Sequence, residues 1–279
     1  MKLKFPVEKT VKARTSVRTY EVRPLATKEN SLIDAYIASL TNPFSIEVSF
    51  QILHTELANS NAKLGTYGVI KGASDYMGAT VAEGELSLEA LGYSFEKLIL
   101  YITSLGMGTC WLGGTFKRSD FAAAMNLKDN ELLPAISPIG YPLGKKRIAD
   151  TIVRRFAQSD KRKEWSELFY KNDFSQPLTQ AEAGDYSFPL EMLRLAPSAS
   201  NKQPWRIVRT DQGFHFYEAK APGYSNRLGF DIQRIDMGIA ACHFHLAAEE
   251  KGLPGRFEKI AVPEIQMPQN TEYIFSWMI

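Results

Sequence analysis

Two long apolar-periodic segments with the same internal glycine spacing constrain this chain more than any other feature. Ser87 to Leu105 carries apolar residues at Leu88, Leu91, Phe95, Leu98, Ile99 and Ile102, the recurrence of one face of an α-helix, and closes on Gly106 with Gly108 beyond. Ile235 to Lys251 predicts a companion helix, closed by Gly252. Gly92 stands as far before Gly106 as Gly238 does before Gly252, which implies a duplicated unit. Glycine is common enough for chance to produce one such pair, so the duplication needs support from elsewhere in the chain.

Around these helices the sequence predicts shorter elements. Residues 7–11 lead as a helix into an arginine-rich run and present Arg14, Ser16 and Arg18 at its end. Ser31 to Leu40 has helical periodicity and stops before Asn42-Pro43. Strands are expected at residues 49–53 and 67–71, and closing strands at 257–260 and 273–279. Lys171 to Gly184 is polar, contains Pro177 and Gly184, and reads as a connector between a first half, 1–170, and a second, 185–279.

Composition narrows the classes. At 279 residues, 44% hydrophobic and 23% charged, the chain can bury one large or two modest cores. A formal charge of +2 gives no general attraction for nucleic acid or anionic membrane. No apolar run reaches the ~18 residues of a membrane span, and the first residues lack the apolar centre of a secretion signal, so a cytoplasmic location is expected. The two cysteines, Cys110 and Cys242, have no partner at metal-ligand spacing, and His243 and His245, two apart on a helix, point to different faces. No metal site is expected. Neither a P-loop string nor Gly-x-Gly-x-x-Gly occurs, which argues against a triphosphate site and a Rossmann domain.

The chemistry lies in two runs at opposite ends of the chain. Ala196-Pro197-Ser198-Ala199-Ser200-Asn201-Lys202-Gln203-Pro204-Trp205 is a proline-bracketed turn whose Ser, Asn and Gln side chains suit the polar edge of a planar heterocycle. Ala13-Arg14-Thr15-Ser16-Val17-Arg18-Thr19-Tyr20 sets two guanidinium groups four residues apart with Thr15 and Ser16 between them, a cradle for a phosphate. Phosphate and heterocycle together suggest a mononucleotide. Taken alone, the arginine cluster reads first as a solvated helix end, because charged clusters are mostly surface decoration.

At these residues the chain resembles the FMN-dependent nitroreductase family, which opens with Arg-Arg-Ser-x-Arg-x-Phe or similar and carries Ala-Pro-Ser-x-x-Asn-x-Gln-Pro-Trp further on. Asp236-Met237-Gly238-Ile239-Ala240 resembles the family's central helix, and Thr109 to Phe116 and Pro138-Ile139-Gly140-Tyr141-Pro142 resemble its Trp-Ile-x-Gly-Phe and Pro-x-Gly-Tyr-Pro segments. Lys161-Arg162-Lys163 resembles the basic segment that finishes the family's phosphate site; outside that context it reads equally well as a solvated linker. The arrangement looks like the single-chain, pseudodimeric TM nitroreductase type.

The resemblance implies an α+β fold: two degenerate repeats forming an intramolecular pseudodimer, with mostly antiparallel sheets and long central helices. It implies one FMN per chain, a monomer with further dimerisation left open, and NAD(P)H-driven ping-pong reduction of a flat electron-poor acceptor such as a nitroaromatic or quinone. In that reading Arg14, Thr15, Ser16, Lys161 and Arg162 surround the phosphate, and Arg18 stands by the pyrimidine edge of the ring. An N–H of the Gly113-Gly114 pair faces flavin N5. Pro197, Ser198, Ala199, Ser200 and Asn201 cross from the second half to the ring's polar edge. The sequence lacks the family's common acidic residue before the second glycine, which bears on the choice of acceptor. The alternative is a flavin-binding or storage module, or a degenerate scaffold, without turnover.

Overall fold

The two apolar segments form the longest helices, Ser87–Ser104 and Ile232–Glu250, and they lie against each other at the centre of the molecule. Gly92 and Gly238 permit this, because a Cβ at either would fall on the backbone of the opposing helix. The computed structural model describes residues 3–54, 65–144, 161–226 and 228–279.

In chain order the elements are α1 (Val7–Ala13), α2 (Thr27–Ala38), β1 (Ser49–His54), β2 (Asp75–Ala82), α3 (Ser87–Ser104), β3 (Gly108–Thr109), α4 (Arg118–Ala124) and β4 (Glu131–Gly140). There follow α5 (Trp165–Leu168), β5 (Phe169–Lys171), α6 (Gln180–Ala183), α7 (Ser187–Arg194), β6 (Trp205–Thr210), β7 (Gly213–Ala219), α8 (Ile232–Glu250), β8 (Arg256–Glu258) and β9 (Thr271–Met278). The strands divide into a four-stranded antiparallel sheet, β1-β2-β4-β3, and a five-stranded sheet, β5-β6-β7-β9-β8, antiparallel except where β5 pairs with β6. Their apolar faces and the α3–α8 pair share one core, in which Leu91, Phe95, Ile99, Ile239, Phe244 and Phe275 are sealed from solvent.

Several sequence expectations shift. The helix expected from Ser31 begins at Thr27, and the one expected from Ile235 begins at Ile232, where Asp231 accepts the N–H of Gln233 as a side-chain cap. Residues 67–71 are not a strand: Tyr67, Gly68 and Gly72 have positive φ, and only Lys71 bridges to Thr19. The strand lies later, at Asp75–Ala82, and is buried on both faces for almost its whole length, so it shows no alternation. Helix α1 stops at Ala13, so Ser16 and Arg18 lie beyond it in extended chain. The stretch read as a connector begins on Lys171, the last residue of β5, which pairs in the second sheet, and ends in the helical turns that run over residues 180–186.

The ends of the chain are tied together at the helix pair. The N–H groups of Val7 and Glu8, at the start of α1, donate to the Glu250 carboxylate at the end of α8, at 2.6 and 3.3 Å. A carboxylate at a helix N-terminus satisfies orphan donors and meets the positive end of the helix dipole. This anchors the segment that runs on into Arg14.

Candidate functional site

After Arg14 the chain is extended and stitched on both sides: Val17 N–H donates to Thr109 O (2.8 Å), Lys71 N–H to Arg18 O (2.9 Å), and Tyr20 N–H to Lys71 O (2.9 Å). Alternate residues of an extended segment share a face. Arg14, Ser16 and Arg18 therefore line one cavity, of about 490 Å³, whereas Thr15 does not and Val17 turns against Gly108. The period-2 spacing of the arginine run, rather than a helix end, brings the two guanidinium groups together.

The second wall is the Pro197–Asn201 loop, every residue of which lines the same cavity. Its backbone is unusual, with Ser200, Asn201 and Gln203 all at positive φ (47°, 55° and 49°). Such conformations cost about 1–3 kcal/mol each and persist only where the surroundings over-determine them. Here they do. Gln203 N–H donates to Ser198 Oγ (2.9 Å), and the Gln203 amide spans from Asn201 O (3.2 Å) to Lys163 N–H (2.8 Å). Asn201 Nδ2 donates to Lys161 O (2.9 Å), and Arg162 donates to Asn201 Oδ1 (3.4 Å) and Leu195 O (3.1 Å). The side-chain amides that suggest a heterocycle edge are thus largely spent on holding the loop. Lys161 contributes its carbonyl to this frame and leaves its exposed side chain off the cavity wall, while Arg162 lines the cavity.

The third wall is Gly113-Gly114, which follows Leu112 where the chain pairs with Ile136 of β4 (2.9 and 3.0 Å). A Cβ on Gly113 would strike the Ile232 side chain, whereas Gly114 has no neighbour within 4 Å of that position. From α8, Ile232, Ile235, Asp236 and Ile239 complete the wall, and Tyr224 closes one side with its hydroxyl donating to Ser200 Oγ (2.8 Å).

Asp236 lines the cavity but is absent from the candidate set. It is 2% exposed, one oxygen accepts Ala199 N–H (2.9 Å), and the other has no hydrogen-bond partner. Burial pushes its carboxyl well above the usual range, on the same cavity wall as Arg14, Arg18 and Arg162. Its signal was present in Asp236-x-Gly238. Tyr224 had none, because its place depends on the fold of the loop before α8.

Beneath the cavity, Glu96 of α3 is fully buried, accepts Trp111 Nε1–H (2.7 Å), and lies 2.9 Å from His243 Nε2 and 3.9 Å from Arg14 Nε. His243 and His245 turn to different partners, His245 meeting the Tyr93 hydroxyl (2.8 Å). Cys110 is buried beside the cavity wall.

Comparison with known proteins follows the same lines. The solved structure of a putative nitroreductase from Thermotoga maritima aligns with 100% of this chain and 95% of its own, at 19% identity and a TM-score of 0.62, which shows a shared fold. An FMN-dependent nitroreductase of Clostridium difficile (16% identity, TM-score 0.42, 50% of this chain and 88% of that one) also aligns. So does a nitroreductase with bound FMN from Bacteroides fragilis (20%, 0.39, 51% and 94%). None of the curated proteins matches the sequence. The family described as putative TM nitroreductase matches residues 6–248, nearly the whole chain, and the protein belongs to that family.

Proposed function

We propose that the protein is an FMN-dependent oxidoreductase that draws electrons from NAD(P)H and passes them to a flat, electron-poor acceptor such as a nitroaromatic or quinone. The observation that carries this reading is the convergence of the arginine run, the Pro197–Asn201 loop and the Gly113-Gly114 turn on one cavity of about 490 Å³. That volume falls in the range of roughly 300–1,000 Å³ usual for ligand pockets. The donor set also fits the group: guanidinium groups for a phosphate, a buried Arg18 nitrogen and a buried Asp236 oxygen without partners, and glycines that let a ring approach the backbone.

Bound FMN would supply the two-electron redox chemistry at its ring, as flavins do. Arg14, Ser16 and Arg162 hold the phosphate, with Thr15 and Lys161 framing the strand and loop that carry them. Arg18 offers a charge fixed in place beside the pyrimidine edge, and such preorganised charge costs no rearrangement when negative charge develops there. Ile232, Ile235 and Ile239 exclude water from one wall.

One site per chain is proposed, within a pseudodimer of a first half, 1–170, and a second, 185–279. Two residues before Gly238 stands Asp236, which holds the loop, and two before Gly92 stands Ala90, which cannot. One residue after Gly238, Ile239 lines the cavity; one after Gly92, Tyr93 packs against Phe44 (ring centroids 6.3 Å), whose ring also lies 5.3 Å from Phe275. Tyr93, which matches Ile239 when the two glycines are aligned, thus packs among aromatic rings.

The test is a visible spectrum and a flavin stoichiometry. Yellow protein with one FMN per chain that bleaches on NADH or NADPH supports the reading. FMN retained without bleaching indicates a binding module, and colourless protein that FMN cannot reconstitute refutes both.

A further inference from the structure

We infer that Arg118, outside the cavity, is a positioning residue for this site: it fixes the orientation of the Gly113–Gly114 peptide and so presents the Gly114 N–H to a ring bound in the cavity. The inference rests on the FMN reading for its ligand, and on geometry alone for the peptide.

Arg118 opens α4, and its guanidinium is given over to carbonyls. Nη2 donates to Gly113 O (2.9 Å) and Pro134 O (3.0 Å), and Nε donates to Leu133 O (2.9 Å). Among the described residues it forms no ion pair with a carboxylate. Its carbon centre lies 4.8 Å from the Phe116 ring and 5.4 Å from that of Phe230, so aromatic faces from both halves of the chain hold the group. A half-buried cation without a counter-ion is costly unless its donors are used, and these donors serve three peptides that meet behind the cavity.

The Gly113–Gly114 peptide needs an external hold. Neither residue has a Cβ, and Gly114 has no neighbour within 4 Å of where one would stand, so local sterics leave the peptide free to turn over. In a planar trans peptide the C=O and N–H point in opposite directions. With Gly113 O held by Arg118, the Gly114 N–H points away from Arg118, toward the side on which both glycines line the cavity. No acceptor among the described residues takes the N–H of Gly113 or Gly114. The pair thus presents donors to the cavity, and Arg118 sets the direction of the second.

Arg118→Met keeps the apolar stem and removes all three hydrogen bonds, while Arg118→Lys keeps the charge but not the fork that reaches three carbonyls. Met is expected to weaken FMN binding at least tenfold and to shift both the midpoint potential and the visible band of the bound flavin. Lys is expected to fall between Met and the parent protein. In the FMN-free protein, both changes are expected to move the amide resonance of Gly114. If Arg118→Met does not fold, Arg118→Lys decides. Folded variants with unchanged affinity, potential and Gly114 resonance overturn the assignment. A parent protein that takes up no FMN defeats the functional reading instead, and the Gly114 resonance of the FMN-free variants then decides whether Arg118 holds this peptide.

Discussion

Gly92 and Gly238 face each other's helices reciprocally: a Cβ on Gly92 would fall on the carbonyl oxygen of Ile235, three residues before Gly238, and one on Gly238 on that of Glu89, three residues before Gly92. In a two-fold interface between identical subunits, residue i meets j and j meets i. Here the same rule holds within one chain.

The contact predicts an inverted glycine effect. In an ordinary helix interior, Gly→Ala stabilises by roughly 0.5–1 kcal/mol. At Gly92 or Gly238 the new methyl meets backbone that cannot swing aside, so Gly92→Ala and Gly238→Ala should each destabilise by about 1–3 kcal/mol, the usual cost of overpacking a core. Chemical denaturation checks this. Stabilisation by either substitution would show that the helices can separate without penalty.

Asp236 offers a test of a neutral buried acid. Its two oxygens differ, one accepting Ala199 N–H and one without a partner, and burial raises its pKa. Asparagine reproduces the neutral shape and the acceptor, so Asp236→Asn should cost less than about 1 kcal/mol at pH 7, whereas Asp236→Ala orphans the Ala199 N–H and should cost about 1–3 kcal/mol. FMN affinity should follow the same order, because the loop at Ser198 to Asn201 hangs from this bond. Equal losses in both variants would mean that the acid is ionised in the folded protein.

A second buried acid sets a pH dependence. Glu218 of β7 is sealed from solvent, and burial, reinforced by the nearby Asp231 carboxylate, outweighs Arg234 and Lys220 and pushes its pKa up to about 8. Arg234 lies 3.8 Å from Glu218 while meeting Glu89 at 2.5 Å. A carboxyl whose pKa rises on folding contributes stability that is complete below its unfolded value of about 4.5 and is lost as pH climbs to about 8. Melting temperature should therefore fall between pH 5 and pH 8.5, and Glu218→Gln should flatten that slope. A slope identical in the two proteins would assign the dependence to other groups.

These groups also mark how far the sequence could be read. The first long helix was legible because its apolar residues keep one period over many positions, the second through its matching glycine spacing, and the last strand through its run of aromatic and apolar residues. Asp75–Ala82 was not, since a strand buried on both faces has no polar alternation, while Tyr67–Lys71 had an apolar pattern but left-handed residues that break it. At the site, Arg14 and Arg18 were legible through their spacing. The duties of Gln203, Asp236 and Arg118 were not, because each is defined by a backbone group distant in sequence: Lys163 N–H, Ala199 N–H and the carbonyls of Leu133 and Pro134.

The same dependence on distant partners makes Glu96 a test of what supports Arg14 from beneath the cavity. His243 Nδ1 faces Met192 O at 3.0 Å, and a carbonyl only accepts, so Nδ1 carries a proton and a single further proton lies between His243 Nε2 and Glu96 Oε1. Glutamine at position 96 can satisfy both neighbours, its oxygen accepting from Trp111 Nε1 and its NH₂ donating to the neutral imidazole. The substitution removes the carboxylate together with the proton it shares with His243, so the net charge beside Arg14, 3.9 Å away, stays the same. Glu96→Gln should therefore change stability by about 1 kcal/mol or less and leave the affinity for inorganic phosphate and FMN within about twofold. Glu96→Ala strips a partner from His243, Trp111 and Arg14 together and should lose about 3–5 kcal/mol. Titration with phosphate and FMN decides the matter: if Glu96→Gln weakens binding by more than that, the carboxylate itself aims Arg14 at the ligand.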